Sequence, residues 1–241
     1  MNPRPRTRPR ILPARRTLLV AVAMVLGAAP AAAQAAAIQV DRSCYLEDAR
    51  SRVTLSGAGF TPGATYQVTL DGVALPGGVG QVDSSGAVAG TFAAPALEDA
   101  TPEKRFVLGV REGQTTVTTS FAVTTFLADF RPSTGDPRSL KVRFSAYGFG
   151  LVQKDPLAPV VPTLYVHYLP PQGGGKARTY RLGATQGICG HIKRTRLRRL
   201  FPFAPRAGQW NLQFDTHSRY RRGTSTSAFQ YFTVGVKVRP R

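Results

Sequence analysis

Acid, histidine, cysteine and tryptophan are scarce in this sequence, and helical periodicity is absent. Thirteen Asp and Glu stand against 32 Lys and Arg, a formal net charge of +19 over 241 residues. From residue 126 onward only Asp129, Asp136, Asp155 and Asp215 are acidic. A carboxylate pair for glycoside hydrolysis would therefore have to come mostly from the first half. The three histidines, His167, His191 and His217, make no C-x-x-C or H-E-x-x-H spacing with Cys44 and Cys189, which argues against zinc. A Cys189–His217–Asp215 nucleophile can be drawn, but a disulfide at Cys189 would abolish it. No serine lies in a G-x-S-x-G context. The expectation is a protein without metal, cofactor or enzymatic activity. No window sustains a 3.6-residue period, so no helix is expected. The longest apolar run, TLLVAVAMVLGAA, falls short of the roughly 18–20 residues of a spanning helix, and Pro30 follows it.

That run is preceded by Arg4, Arg6, Arg8, Arg10, Arg15 and Arg16 and ends in small residues, with Ala33-Gln34-Ala35 as an A-x-A cleavage candidate. A basic segment, a short apolar segment and a small-residue exit make residues 1–35 an expected secretory signal peptide. Arg15-Arg16 leaves Sec and Tat export both open. No cysteine follows the apolar run to carry a lipid, and the C-terminal VGVKVRPR offers neither an apolar tail nor a sorting motif. The chain left after cleavage is expected to be secreted, without a transmembrane segment, and free or held non-covalently to a bacterial cell envelope. Removing residues 1–35 from the 241 leaves 206, which suits two domains of about 100 residues each. Oxidising surroundings favour a Cys44–Cys189 disulfide across 145 residues, on the order of 4–5 kcal/mol in chain-entropy models. Two separately buried thiols are the alternative.

After residue 37 the sequence breaks into short alternating runs. RVTLSGAGF and TYQVTLDG read as strands, GQVDSSGAVAGTF as a hairpin about Asp83–Gly86, and RFVLGVREGQTTVTTSFAV as two strands joined at Glu112-Gly113. LKVRFSAYGF, PTLYVHYL, ARTYRLG, GQWNLQFDTH and SAFQYFTVGVKV follow in the second half. The expected fold class is all-β: two tandem immunoglobulin-like antiparallel sandwiches, residues 38–125 and 126–241. VTLSGAGF (53–60) and VRFSAYGF (142–149) match at Val, Ser, Gly and Phe, 89 residues apart (53 to 142), as a duplicated domain would. Their glycines would let the chain bend from one sheet to the other. Trp210, Leu212 and Phe214 share a face and are expected in the second core. His167 is expected on the opposite, exposed side of its strand, and Tyr165, Tyr168, Tyr180, Tyr220 and Tyr231 as surface aromatics.

VTLSGAGFTPGATYQVTLDG followed by DSSGAVAGTF resembles the bacterial immunoglobulin-like (IPT/TIG-like) modules of exported and surface proteins. Val53, Leu55, Gly57, Gly59, Phe60, Pro62 and Gly63 fall on their strand-and-turn, and Asp83, Gly86, Gly90 and Phe92 on a later hairpin. The likeness covers residues 38–125. In the second half Tyr147 precedes Gly148-Phe149 and no Pro-Gly follows, so there only the fold is implied. The resemblance implies a spacer, adhesin or binding module and carries over no site residue.

The charge is partitioned. Residues 38–125 hold six Lys and Arg against nine Asp and Glu, net −3; residues 126–241 hold twenty against four, net +16. The excess concentrates in HIKRTRLRRLFPFAPR (191–206). Lys193, Arg194, Arg196, Arg198, Arg199 and Arg206, with Arg221 and Arg222 beside a later turn, are the candidate polyanion-binding residues. The expected partner is an anionic envelope polymer or surface glycan. Nucleic acid is disfavoured in an exported chain without a recognised binding motif. Two other readings stay open: an envelope-associated hydrolase with an unrecognised site, and a purely structural spacer.

Overall fold

The computed structural model describes residues 35–151, 161–172, 175–223 and 230–240, so all but the last residue of the expected signal peptide lies outside the described residues. The described residues form one compact unit. They contain strands and turns only, and no helix among them is long and apolar enough to cross a membrane.

The first core lies between two sheets. One is three-stranded: β1 (Ala37–Val40), β3 (Arg52–Ala58) and β6 (Val88–Ala93), in the order β1-β3-β6. The other contains β2 (Cys44–Leu46), β4 (Thr65–Leu70), β5 (Val73–Gln81), β7 (Glu103–Glu112) and β8 (Thr115–Thr124), in the order β2-β8-β7-β4-β5. Alternation on β3 turns Val53 and Leu55 inward against Val68, Leu108 and Val110. Tyr45, Phe106 and Phe92 surround Phe121, with ring centroids 5.4, 5.8 and 6.2 Å away. A fully buried side chain such as Phe121 contributes about 1.5–3 kcal/mol.

The second core repeats the plan. A three-stranded sheet is formed by β9 (Leu127–Arg131), β10 (Lys141–Tyr147) and β13 (Arg198–Arg199), ordered β13-β10-β9. Facing it are β11 (Thr163–Leu169), β12 (Arg178–Ala184), β14 (Gly208–Asp215) and β15 (Phe232–Val238), ordered β12-β11-β14-β15. Trp210, Leu212 and Phe214 are buried in this core, as their shared face predicts. The fold is all-β and is built of β-sandwiches.

The two matching segments, 53–60 and 142–149, have the same backbone signature. Val53 and Leu55, like Val142 and Phe144, are buried on the middle strand of a three-stranded sheet. Gly59 (φ 84°) and Gly148 (φ 81°) then adopt the left-handed conformation open to glycine, Phe60 and Phe149 plug the core, and the chain crosses to the facing sheet.

Three expectations are corrected. Asp83–Gly86 does not close a hairpin: β5 and β6 belong to different sheets, and Val82 turns into the core as the chain arches between them. Pairing is not purely antiparallel, because β2 runs parallel to β8. Tyr168 is not a surface aromatic; it is buried, and its hydroxyl donates to the Leu200 carbonyl at 2.7 Å.

The two cores are joined by chemistry. Cys44 and Cys189 form a disulfide, both buried, with Cα atoms 5.5 Å apart against Ala122 and Leu151. Beside it, Nδ1 of His191 lies 2.9 Å from Oε2 of Glu103. Burial and the nearby Glu103 carboxylate push the Tyr147 hydroxyl above its ordinary range.

Candidate functional site

The basic segment 191–199 runs along the free edge of β10, and its register explains its composition. Ile192 exchanges backbone hydrogen bonds with Ala146, Thr195 N donates to Phe144 O, and Arg198 pairs with Val142. The edge thus advances three residues for every two of β10. The surplus residues bulge outward, leaving Lys193, Arg194, Arg196 and Leu197 exposed. Thr195 is the inward peg: it is 7% exposed, and its hydroxyl accepts from the Phe144 N–H at 2.9 Å.

The outward face of the three-stranded sheet extends this surface. Core residues Val142, Phe144 and Ala146 alternate with outward Lys141, Arg143 and Ser145 on β10. Register sets Lys141 opposite Arg199 and Arg143 opposite Arg131. Like charges directly opposite one another oppose strand pairing. Among the described residues the nearby acid is Asp129, 3.3 Å from Arg131. Arg143 also donates to the Thr195 carbonyl at 3.3 Å.

This surface leads to the end of the second sandwich remote from the disulfide. β9 runs away from the junction to Arg131, the loop 132–140 turns there, and the chain returns along β10 and past it to Gly150, whose N–H donates to the Cys189 carbonyl at 3.0 Å. At the remote end a cleft of about 620 Å³ opens between the loop 132–140 and the end of β15. Arg138, Lys237 and Arg239 line it, and Lys141 and Arg199 each follow or precede a lining leucine, Leu140 or Leu200.

The structure does not gather all eight predicted residues. Lys193, Arg194, Arg196 and Arg199 share the exposed edge. Arg198, half-buried, instead bridges the open side of the sandwich by donating to the Arg181 carbonyl on β12 at 3.3 Å. Arg206 is exposed two residues before Gly208, which pairs with Val238, so it stands at the remote end. Arg221 and Arg222 lie elsewhere: Nε2 of Gln213, on the outward face of the four-stranded sheet, donates to the Arg221 carbonyl at 3.4 Å. Arg131, Arg138, Lys141, Arg143, Lys237 and Arg239 are not singled out by sequence because they are dispersed along the chain. Arg178, which belongs to the general basic excess, lies over the Phe203 ring at 4.4 Å.

That opposite face corrects the expectation for His167, which is fully buried. It does point away from the core, but the turn after β14 covers it. Nε2 of His167 lies 3.1 Å from Oδ1 of Asp215, and Nδ1 lies 2.7 Å from the Thr179 hydroxyl. Asp215 also accepts from Gln213 Nε2 at 2.8 Å and His217 N at 2.7 Å. Burial alone would raise the Asp215 carboxyl; hydrogen bonds from His167, Gln213 and His217 outweigh it and hold it below its ordinary value. The Cys189–His217–Asp215 nucleophile is ruled out, because Cys189 is spent in the disulfide. Among the described residues no group of three or more His, Cys, Asp and Glu is arranged to hold a metal ion.

No protein-family model and no curated protein sequence matches the chain. Among solved structures, a tetra-tandem repeat from the extending region of a large adhesion protein is 9% identical at a TM-score of 0.27. That alignment covers 84% of this chain and 48% of the other. Red sea bream transglutaminase is 12% identical at a TM-score of 0.26, over 85% of this chain and 31% of its own. The chain thus spans less than half the length of either, and likenesses this distant leave its function to be argued from its own surface.

Proposed function

We propose that this is a secreted, non-enzymatic module of the bacterial cell envelope, whose second sandwich binds polyanionic surface polymers while the first serves as spacer. The IPT/TIG-like pattern of residues 53–92 and the export signal expected at 1–35 support the setting. The observation that carries the binding is the edge of β10. Three-for-two spacing expels Lys193, Arg194 and Arg196, and register places Lys141 against Arg199 and Arg143 against Arg131. A linear polyanion laid along this face would relieve that repulsion and gain charge-assisted hydrogen bonds.

Co-sedimentation of residues 36–241 with isolated bacterial envelopes across a salt series tests the proposal. The comparison is a variant with Lys193, Arg194, Arg196 and Arg199 all changed to Glu. Binding should weaken steeply with salt and disappear in the variant. If both proteins stay in the supernatant at low salt, the basic edge only guards against strand pairing and the spacer reading stands.

A further inference from the structure

The cleft at the remote end of the second sandwich differs in character from the basic edge beside it. A polyanion track needs only exposed cations, whereas this cleft has a floor. Phe130, Leu140, Leu200 and Val236 line it, three of them buried members of the second core and Leu140 packed against that core. Ser133 and Thr134 add hydroxyls on the loop side, and Arg138, Lys237 and Arg239 add positive charge from two separate elements. Its volume of about 620 Å³ suits a small molecule or one unit of a polymer.

One acid, Asp136, stands among the three lining cations, so the lining keeps a positive excess. Asp136 is held within its own loop: Oδ1 accepts from the Arg138 N–H at 3.1 Å, and Oδ2 accepts from the Ser139 hydroxyl at 3.4 Å. Its carbonyl takes the N–H groups of Ser139 and Leu140 at 3.1 and 2.8 Å. Gly135 presses on Leu140 so closely that a Cβ there would meet Leu140 Cδ1 at 2.8 Å. The loop is thereby shaped by its own hydrogen bonds and close contacts, and its wall of the cleft is preformed.

We infer that this cleft, lined by Arg138, Lys237 and Arg239 above a floor of Leu140 and Leu200, binds one anionic polyol unit. The unit's phosphate or carboxylate meets the three cations, its hydroxyls meet Ser133 and Thr134, and its carbon frame rests on the apolar floor. This site rests on the polyanion reading proposed above and deepens it, giving the polymer a dedicated subsite at the end of the track. Lys141 and Arg199, next in sequence to Leu140 and Leu200, join cleft and track.

The test is titration calorimetry of residues 36–241 with glycerol 3-phosphate and with galacturonate, using glycerol and galactose as uncharged controls. Three proteins are compared: wild type, a cleft variant with Arg138→Gln, Lys237→Gln and Arg239→Gln, and an edge variant with Lys193→Glu, Arg194→Glu and Arg196→Glu, which leaves Arg199 in place. Saturable one-site binding is expected for at least one anionic monomer and for neither neutral one. Affinity should fall roughly tenfold or more in the cleft variant and stay within about twofold in the edge variant. Preference for glycerol 3-phosphate identifies a phosphate subsite, and preference for galacturonate a carboxylate subsite. The near-ultraviolet signal of Trp210 checks that each variant is folded. No saturable binding of either anion, or equal binding by wild type and cleft variant, overturns the subsite. Polymer binding by the track could survive that result, and monomer binding could survive loss of the track, so the two failures are separable.

Discussion

At the scale of single residues, the most demanding arrangement is the buried pair His167 and Asp215. With its proton on Nε2, His167 donates to Asp215 and leaves Nδ1 to accept from the Thr179 hydroxyl, so each polar atom is satisfied. Removing Asp215 leaves the buried His167 N–H without its acceptor, at a cost of about 1–3 kcal/mol. Asp215→Ala should therefore lower unfolding stability by that order in a urea titration. The pH dependence follows from the lowered carboxyl. A folded pKa below the ordinary 3.8 gives stability that is present above 3.8 and lost as pH falls through the folded value. Acid unfolding followed by Trp210 fluorescence should show this loss in wild type and a smaller one in Asp215→Asn. Equal acid sensitivity of the two proteins would contradict it. Period-two alternation told which side of β11 His167 occupies, but not that the turn after β14 lies over that side. A strand's own sequence records its faces and says nothing of what covers them.

At the scale of elements, strand positions were legible wherever Val, Leu and Phe alternate with polar residues, as in VTLSGAGF and GQWNLQF. Partners were not legible, because alternation fixes a face and leaves the neighbour open. Asp83–Gly86 therefore looked like a hairpin although it arches between sheets. β13 shows a second kind of loss. IKRTRLR reads as a charge run because its inward residues, Ile192, Thr195 and Arg198, recur every third position, a spacing that belongs to neither a regular strand nor a helix. The matching segments on β3 and β10 give the element-scale prediction. A Cβ on Gly148 would meet the Thr125 carbonyl oxygen at 2.8 Å, and the residue sits at positive φ. Gly148→Ala should cost on the order of 1–3 kcal/mol, read as a lower thermal midpoint. An unchanged midpoint would show that this bend is not constrained.

At the scale of the whole molecule, the disulfide and the partition of charge organise the chain. Cys44–Cys189 spans 145 residues and joins the two cores directly, beside the His191–Glu103 pair. Changing both cysteines to serine should remove on the order of 4–5 kcal/mol and let the two cores unfold in separate calorimetric transitions. A single transition at an unchanged midpoint would mean that packing alone couples them. The charge partition was plain in the sequence, yet the surface it builds was not. Lys141, Arg143 and Arg131 meet Arg199 and one another only through register, while Arg221 and Arg222, part of the same sequence excess, lie on another face.

The central claim is that this register-built surface binds a polyanion, and salt dependence tests it most directly. Binding of residues 36–241 to defined poly(glycerol phosphate) would be measured at several salt concentrations. The comparison is the variant with Glu at 193, 194, 196 and 199. Counterion release predicts a linear fall of log affinity with log salt in wild type, with a slope that shrinks by roughly one for each phosphate the variant no longer neutralises. Identical slopes for the two proteins, or no binding by wild type at low salt, would contradict the account.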